Sequence, residues 1–480
     1  MRARRPTGFL VYGTIFTMTL TPFLRSLAYD VIMRRDGRAR WKLYRRQFLA
    51  LSTSNAQQVR DDSTEKLAGM LAHAFVTVPY YREAWSQIGF QAVPPATTED
   101  LRRLPILTKA VIRERKEELV SGSFPRAELD LDYTGGTTGI QTSFLRNRAC
   151  SVARFGRQWG ILEKCGYRPG DKRGLIWGVH ADLPQRGGGR SLRHWFRQYA
   201  YANSVMHCTV TTRKDLVDYH ERLSKFRPAV LYGYPNAIEQ FARFIQNERL
   251  AAIKVERIFC TAEKLHDHQR ALLQDVFGGE VFNLYASREH GVVGFECKRH
   301  RGFHIDVGSV MVEILRDGRP AAPGESGQIV ITDLLNYGMP LIRYDTGDLG
   351  TAATEPCDCG CQLPTFHGLD GRVADTLYRP DGSSVEGIFL TDLFLDHDAF
   401  TQAQFVQEDV TSLDVNLVLS PKGSRDVRNK VVDEVRSIMG PDMTIRVHFV
   451  QDIPRNPRSG KFQEVVCKVH MPRHSSAPAL

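Results

Sequence analysis

Apolar residues recur at helical spacing from Phe48 to about Trp85, through Leu49, Leu51, Leu67, Met70, Leu71 and Phe75 and then Val-Pro-Tyr-Tyr-Arg. This pattern predicts helices closed by Pro79. Another helix is expected between Pro105 and Leu119, leading into the strand-like Leu129-Asp-Leu-Asp-Tyr133. Further on, short apolar runs at Leu175-Ile-Trp, Val230-Leu-Tyr, Arg257-Ile-Phe-Cys and Val281-Phe-Asn-Leu-Tyr alternate with helix-like stretches over Ala237 to Gln246 and His266 to Val276. Alternation of this kind predicts a layered α/β core. After Gly308 the character shifts to Val310-Met-Val-Glu-Ile-Leu, Arg316-Asp-Gly-Arg and Gln328-Ile-Val-Ile-Thr, which reads as hairpin-rich β structure. From Thr376 a hairpin signal at Arg379-Pro-Asp-Gly-Ser is followed by a strand over Leu413 to Leu419, a helix over Val427 to Met439 and a last strand over Thr444 to Val450.

Three regions follow from this pattern: a basic and apolar N-terminal segment (1–45), a large domain (46–374) and a small C-terminal one (376–480), with the cut at Asp375. The fold class expected is α/β: a large N-terminal α/β domain of several subdomains, one of them β, plus a small α+β C-terminal domain. The 480 residues are 42% apolar and 25% charged, a globular composition with ample material for cores. The net charge of +10 suits an anionic partner. Much of the excess lies in Arg2, Arg4, Arg5, Arg34, Arg35, Arg38 and Arg40, and no basic-aromatic ladder points to nucleic acid. Nine cysteines without regular spacing argue against a disulfide framework and for a reducing compartment, the cytoplasm by default. Phe9 to Leu24 is apolar but broken by four threonines and Pro22, so a packed or membrane-surface helix is expected over a spanning one, leaving room for peripheral membrane contact.

Candidate chemistry begins at Tyr133-Thr-Gly-Gly-Thr-Thr-Gly139. Glycines after a strand let backbone amides approach an anion, and hydroxyls add donors to phosphate oxygens. A plain Gly/Thr turn fits the same letters, and Ile140 and Gln141 stand where a Walker loop needs Lys and Ser or Thr. Tyr285-Ala-Ser-Arg-Glu289, Arg343-Tyr-Asp-Thr-Gly-Asp348, Gly371-Arg-Val-Ala-Asp375 and Ser459-Gly-Lys461 then follow in order. So do Tyr232-Gly-Tyr-Pro-Asn-Ala-Ile238, Thr261-Ala-Glu-Lys-Leu265, Glu296-Cys297 and Met339-Pro-Leu-Ile-Arg-Tyr344. In this ordered set the chain resembles the adenylate-forming superfamily, in its phenylacetate-CoA ligase and CapK-type branch, over roughly Val78 to Val466.

The resemblance implies activation of a carboxylic acid by ATP and Mg²⁺ to acyl-AMP, then transfer to CoA. It implies that Thr134, Gly135, Gly136, Thr137, Thr138 and Gly139 hold the β and γ phosphates and that Glu289 helps hold Mg²⁺. By the same resemblance Asp348 accepts from the ribose hydroxyls, Arg372 assists at ribose or phosphate, and Tyr285 and Glu263 line the adenine end. Lys461 is the catalytic cation on the substrate carboxylate and bridging oxygen, and Asp375 is the hinge between half-reactions. The sequence departs from the family pattern at Ile140 and Gln141, at Ala286 and at Ala374.

Cys297, His304, Cys357 and Cys359 suit a structural tetrahedral Zn²⁺, with Cys361 and His300 as substitute ligands and unlinked reduced cysteines as the alternative. Trp177, His180, Tyr232 and Tyr234 are aromatics for an acyl pocket or for the core. Transfer to an amine instead of CoA, and a non-catalytic nucleotide-binding scaffold, are the competing readings. The acid and the oligomeric state stay open.

Overall fold

The structure, a computed structural model, describes residues 9–90, 97–133, 142–177, 192–207, 213–372, 376–381, 384–386, 390, 399–420, 423–454 and 463–469. Two compact units emerge: Met1–Gln58 with Arg148–His300 and Cys359–Cys361, and Val59–Asn147 with Arg301–Asp358 and Gln362–Leu480.

In the first unit the strands Asn203–His207, Arg173–Trp177, Val230–Gly233, Arg257–Thr261 and Glu280–Ser287 lie side by side in that order, all parallel. Gly291–Glu296 adds to Glu280–Ser287 antiparallel. Val230–Gly233 is buried throughout, as befits a parallel strand covered on both faces. Helices Arg213–Phe226, Pro235–Asn247 and Asp267–Phe277 supply the crossovers, and Tyr219, Ile238, Phe241, Leu273 and Phe277 lock them to the sheet in one apolar cluster. Each predicted strand of this run is present, one to three residues longer than its apolar letters. The chain passes from Arg173–Trp177 to one side and then returns to its other side at Val230–Gly233, so those two strands flank a topological switch point. Helix Arg148–Lys164 meets Trp41–Leu51 so closely that a Cβ on Gly156 would stand 2.3 Å from the Trp41 carbonyl oxygen.

The second unit carries the hairpin-rich structure. Strands Arg319–Pro320, Val310–Arg316, Ser326–Asp333, Tyr344–Ala352, Thr365–Arg372 and Phe303–Ile305 are neighbours in that order, each pair antiparallel. Helices Ala56–Thr77 and Pro79–Gln87 pack Leu67, Met70, Leu71, Tyr81 and Trp85 against Leu341, Ile342 and Tyr344. Pro79 does more than close a helix: it is the first residue of the next one, where its missing N–H costs nothing. The single helix expected between Pro105 and Leu119 is two pieces, Lys109–Glu114 and a 3₁₀ turn over Lys116–Leu119.

The C-terminal α+β domain has an apolar cluster of its own, drawn from Leu377 to Val465. Its sheet runs Thr444–Val450, Ser412–Leu419, Phe400–Asp409, Val465–Cys467, with helix Arg428–Met439 on the Thr444–Val450 side. Thr444–Val450 is therefore not the last strand; Val465–Cys467 follows and pairs parallel with Phe400–Asp409. Three residues of moderate apolarity are too few for a period to be visible in sequence. The Arg379-Pro-Asp-Gly-Ser signal does join two antiparallel strands, Thr376–Tyr378 and Ser384–Glu386.

Candidate functional site

Several expected site residues of the first unit gather at one edge, the carboxyl ends of neighbouring parallel strands. Trp177 ends its strand, Tyr234 follows Val230–Gly233, Glu263 follows Arg257–Thr261, and Tyr285 sits near the end of Glu280–Ser287. Open α/β sheets bind ligands at this edge, and most often at the switch point. Trp177 and Tyr234 stand at that point with ring centroids 4.8 Å apart. Tyr232 is 5.8 Å from Trp177, is buried, and is reached by Gln158 Nε2 at 3.4 Å; burial raises its phenol pKa. His180 lies outside the described residues.

Two of these positions carry backbone features that aim side chains. Ala262, between the strand end and Glu263, has φ +72°, a conformation alanine adopts only when its surroundings hold it there. The Glu263 carboxylate accepts from the Asn236 N–H at 3.3 Å, at the positive end of helix Pro235–Asn247. A break in register falls between Tyr285 and Ala286, and such bulges re-aim neighbouring side chains. Glu289 occupies the turn between Glu280–Ser287 and Gly291–Glu296 and is 8% exposed. Ser287 Oγ accepts from the His290 N–H at 3.1 Å, closing that turn. Burial, and secondarily the Arg154 charge, push the His290 imidazole well below its ordinary pKa, so a neutral ring stands beside Glu289.

In the second unit Asp348 faces Arg372 directly across the antiparallel pair Tyr344–Ala352 and Thr365–Arg372. The approach to Asp348 is built by its own motif. Gly347 has φ +77°, its N–H donates to Asp345 Oδ1 at 2.9 Å, and the Asp348 N–H donates to Thr346 Oγ1 at 3.0 Å. Lys109 Nζ donates to the Thr346 carbonyl at 2.7 Å. Thr134, Gly135, Gly136, Thr137, Thr138 and Gly139, together with Asp375 and Lys461, lie outside the described residues.

The metal-ligand candidates converge. The ligand atoms of Cys297, His304, Cys357 and Cys359 all lie within 4.8 Å of one another. Their surroundings suit a metal-bound thiolate set: the Arg299 N–H donates to Cys297 Sγ at 3.4 Å and the Cys361 N–H to Cys359 Sγ at 3.5 Å. His304 Nδ1 is 3.3 Å from the Leu363 carbonyl, the kind of contact that orients a metal-binding imidazole. Cys361 and His300 stand outside this group. His300 is taken up by Glu296 at 3.2 Å and by Arg270 at 3.3 Å.

Comparison with known proteins places the chain among similar ligases and CapK. The family described as the CapK C-terminal domain matches residues 377–468. Protein CapK of Staphylococcus aureus is 25% identical over 371 residues, 76% of this chain and 80% of that protein. The phenylacetate-coenzyme A ligase of Thermus thermophilus is 26% identical over 345 residues, 68% of this chain and 73% of the enzyme. A 2-hydroxyisobutyryl-CoA ligase, solved in its postadenylation state with R3-HIB-AMP, superimposes with a TM-score of 0.69 at 18% identity, covering 87% of this chain and 91% of its own. Residues 377–468 match the CapK C-terminal domain family, and over most of its length the chain is similar to CapK and to phenylacetate-CoA ligases of the adenylate-forming superfamily.

One residue of the Arg343-Tyr-Asp-Thr-Gly-Asp348 motif has a duty its letters do not disclose. Arg343, at φ +51° and buried, pairs with both Glu313 carboxylate oxygens at 3.0 and 3.1 Å, donates to the Arg102 carbonyl at 2.9 Å, and also donates to the Leu104 carbonyl. Tyr81 Oη donates to the Pro340 carbonyl at 2.8 Å and accepts from the Ile342 N–H at 3.0 Å. These groups hold the segment that delivers Asp348. Arg343 stands within a quoted motif, but Glu313 and Tyr81 gave no signal, since their partners are about 30 and 260 positions away in sequence.

Proposed function

We propose that this chain joins a carboxylic acid to CoA at the expense of ATP. The substrate carboxylate oxygen attacks the α-phosphorus, the bond from that phosphorus to the β-bridging oxygen breaks, and pyrophosphate leaves with its electron pair. A thiol then attacks the acyl carbon of the mixed anhydride, loses its proton, and AMP departs. The observation that supports this reading is the row of Trp177, Tyr234, Glu263, Tyr285 and Glu289 along one sheet edge. An aromatic pocket and polar nucleotide groups are what an acyl-adenylate needs side by side.

In this reading Thr134 to Gly139 cradle the β and γ phosphates and Glu289 offers carboxylate oxygen to Mg²⁺, which would neutralise charge on the triphosphate. Glu289 fits that task as a buried carboxylate beside a neutral histidine, where no protein cation on His290 competes for it. Tyr285 and Glu263 line the adenine end, Asp348 and Arg372 hold the ribose, and Trp177 with Tyr234 flank the acyl group. Lys461 brings its ammonium to the carboxylate and bridging oxygen during adenylation. Asp375 marks the hinge between the domain that ends at residue 374 and the one that starts at 376. Cys297, His304, Cys357 and Cys359 would hold a Zn²⁺ in a structural role, since four protein ligands would leave no position for substrate.

Pyrophosphate exchange across aryl, fatty and sugar-derived acids tests the first half-reaction, and AMP release with CoA or with amines tests the second. The Lys461→Ala chain is expected to lose adenylation by about 100-fold while still binding nucleotide. If no acid supports exchange in the unaltered chain, the reading fails; if exchange occurs and only amines accelerate AMP release, the acceptor assignment alone is wrong.

A further inference from the structure

The N-terminal helix Phe9–Arg35 has two apolar faces from residue 22 onward, and the protein uses one of them. Ala28, Tyr29, Ile32 and Met33 are buried. Tyr29 anchors this side: Trp159 Nε1 donates to its hydroxyl at 3.1 Å, and its ring packs on Trp41 at 5.9 Å and Tyr201 at 5.5 Å. Arg25 lies on the same side, over the Tyr199 ring at 5.7 Å. The other side carries Phe23, Leu24, Leu27 and Val31, exposed by 59, 49, 47 and 57%. At about 100° per residue these four fall with Arg34 and Arg35 in one arc of about 120°, and the buried residues fill the opposite arc. In sequence the same spacing continues upstream: seven steps back from Phe23 stand Phe16 and then Phe9, and four back from Leu24 stands Leu20.

Charge decides what can cover this face. No Asp or Glu precedes Asp30, whereas Arg2, Arg4, Arg5 and Arg25 do. Asp30 is paired with Lys42, and Asp36 is paired with Arg197 at 3.1 Å. Arg34 and Arg35 are exposed at the end of the apolar arc. A second copy of the same face would bring arginine to a surface without a carboxylate to receive it. A surface both apolar and anionic matches both features, and a helix held along one side by its own protein can meet it only lengthwise.

We propose that this face seats the protein on an acidic phospholipid surface. Phe23, Leu24, Leu27 and Val31 enter the boundary between headgroups and acyl chains, and Arg34 and Arg35 meet lipid phosphates. The test is co-sedimentation of the full chain with vesicles of phosphatidylcholine alone and of phosphatidylcholine mixed with phosphatidylglycerol. Partition into the acidic vesicles is expected, weakened by high salt. It should fall at least about tenfold in a Leu27→Glu, Val31→Glu chain and several-fold in an Arg34→Gln, Arg35→Gln chain. Circular dichroism and thermal melting should match the unaltered protein, because all four substituted side chains are exposed. The proposal is overturned if neither vesicle takes up the chain, or if the glutamates leave partition unchanged. It is equally overturned if light scattering finds a dimer that those glutamates dissociate while vesicles take up neither form.

Discussion

At the scale of single residues, the motif letters divide, under the function proposed, into those that would meet substrate and those that hold the others still. Arg343 belongs to the second kind, since its guanidinium is saturated by Glu313 and two carbonyls inside the fold. Arg343→Ala leaves the Glu313 carboxylate buried without its cation, and a loss of about 3–5 kcal/mol is expected in denaturant unfolding. Arg343→Lys should recover only part of it, because an ammonium cannot serve both carboxylate oxygens and the carbonyls from one planar fork. Tyr81→Phe should cost about 1–3 kcal/mol by stranding the Ile342 N–H and the Pro340 carbonyl, read by denaturant unfolding. Glu289→Gln is expected to act oppositely: little change in stability, and a raised Mg²⁺ requirement in pyrophosphate exchange.

At the scale of elements, close approach and pH matter most. Helices Trp41–Leu51 and Arg148–Lys164 touch at backbone level, so Gly156→Ala must push them apart and should destabilise by about 1–3 kcal/mol although alanine favours the helix. In the C-terminal sheet Asp414 lies in register with Arg446, which donates to it at 2.7 and 2.9 Å, and His448 adds a contact at 2.7 Å. Arg446 foremost, and His448 after it, hold the Asp414 carboxyl down at about 2. A carboxylate with a depressed pKa stabilises the fold above its unfolded value near 4 and loses that contribution as pH falls through about 2. Hydrogen exchange in strands Phe400–Asp409 and Ser412–Leu419 should therefore lose protection between about pH 4 and 2, and Asp414→Asn should flatten that dependence.

For the whole molecule, the proposed zinc would draw its ligands, Cys297, His304, Cys357 and Cys359, from two stretches well separated in sequence. Purified without chelator, the chain is expected to carry one zinc, and a Cys357→Ser, Cys359→Ser chain to lose it and melt at a lower temperature. Order along the chain was enough to reveal the resemblance to the family and to nominate Glu289, Asp348 and the four metal-ligand candidates, because chemistry restricts residue types and their succession. The α/β alternation was legible for a related reason: a strand covered on both faces must be apolar throughout, so Val230–Gly233 and Arg257–Thr261 announce themselves. Val465–Cys467 did not, since three residues carry no period. Nor could sequence tell that Trp177 and Tyr234 meet at the switch point, that Arg343 is spent on Glu313, or that the helix after Pro22 leaves one apolar face outside. Local letters fix which groups exist and what period they follow. Which of them touch, and which stay in water, depends on partners tens to hundreds of residues away, and only the folded chain brings those together.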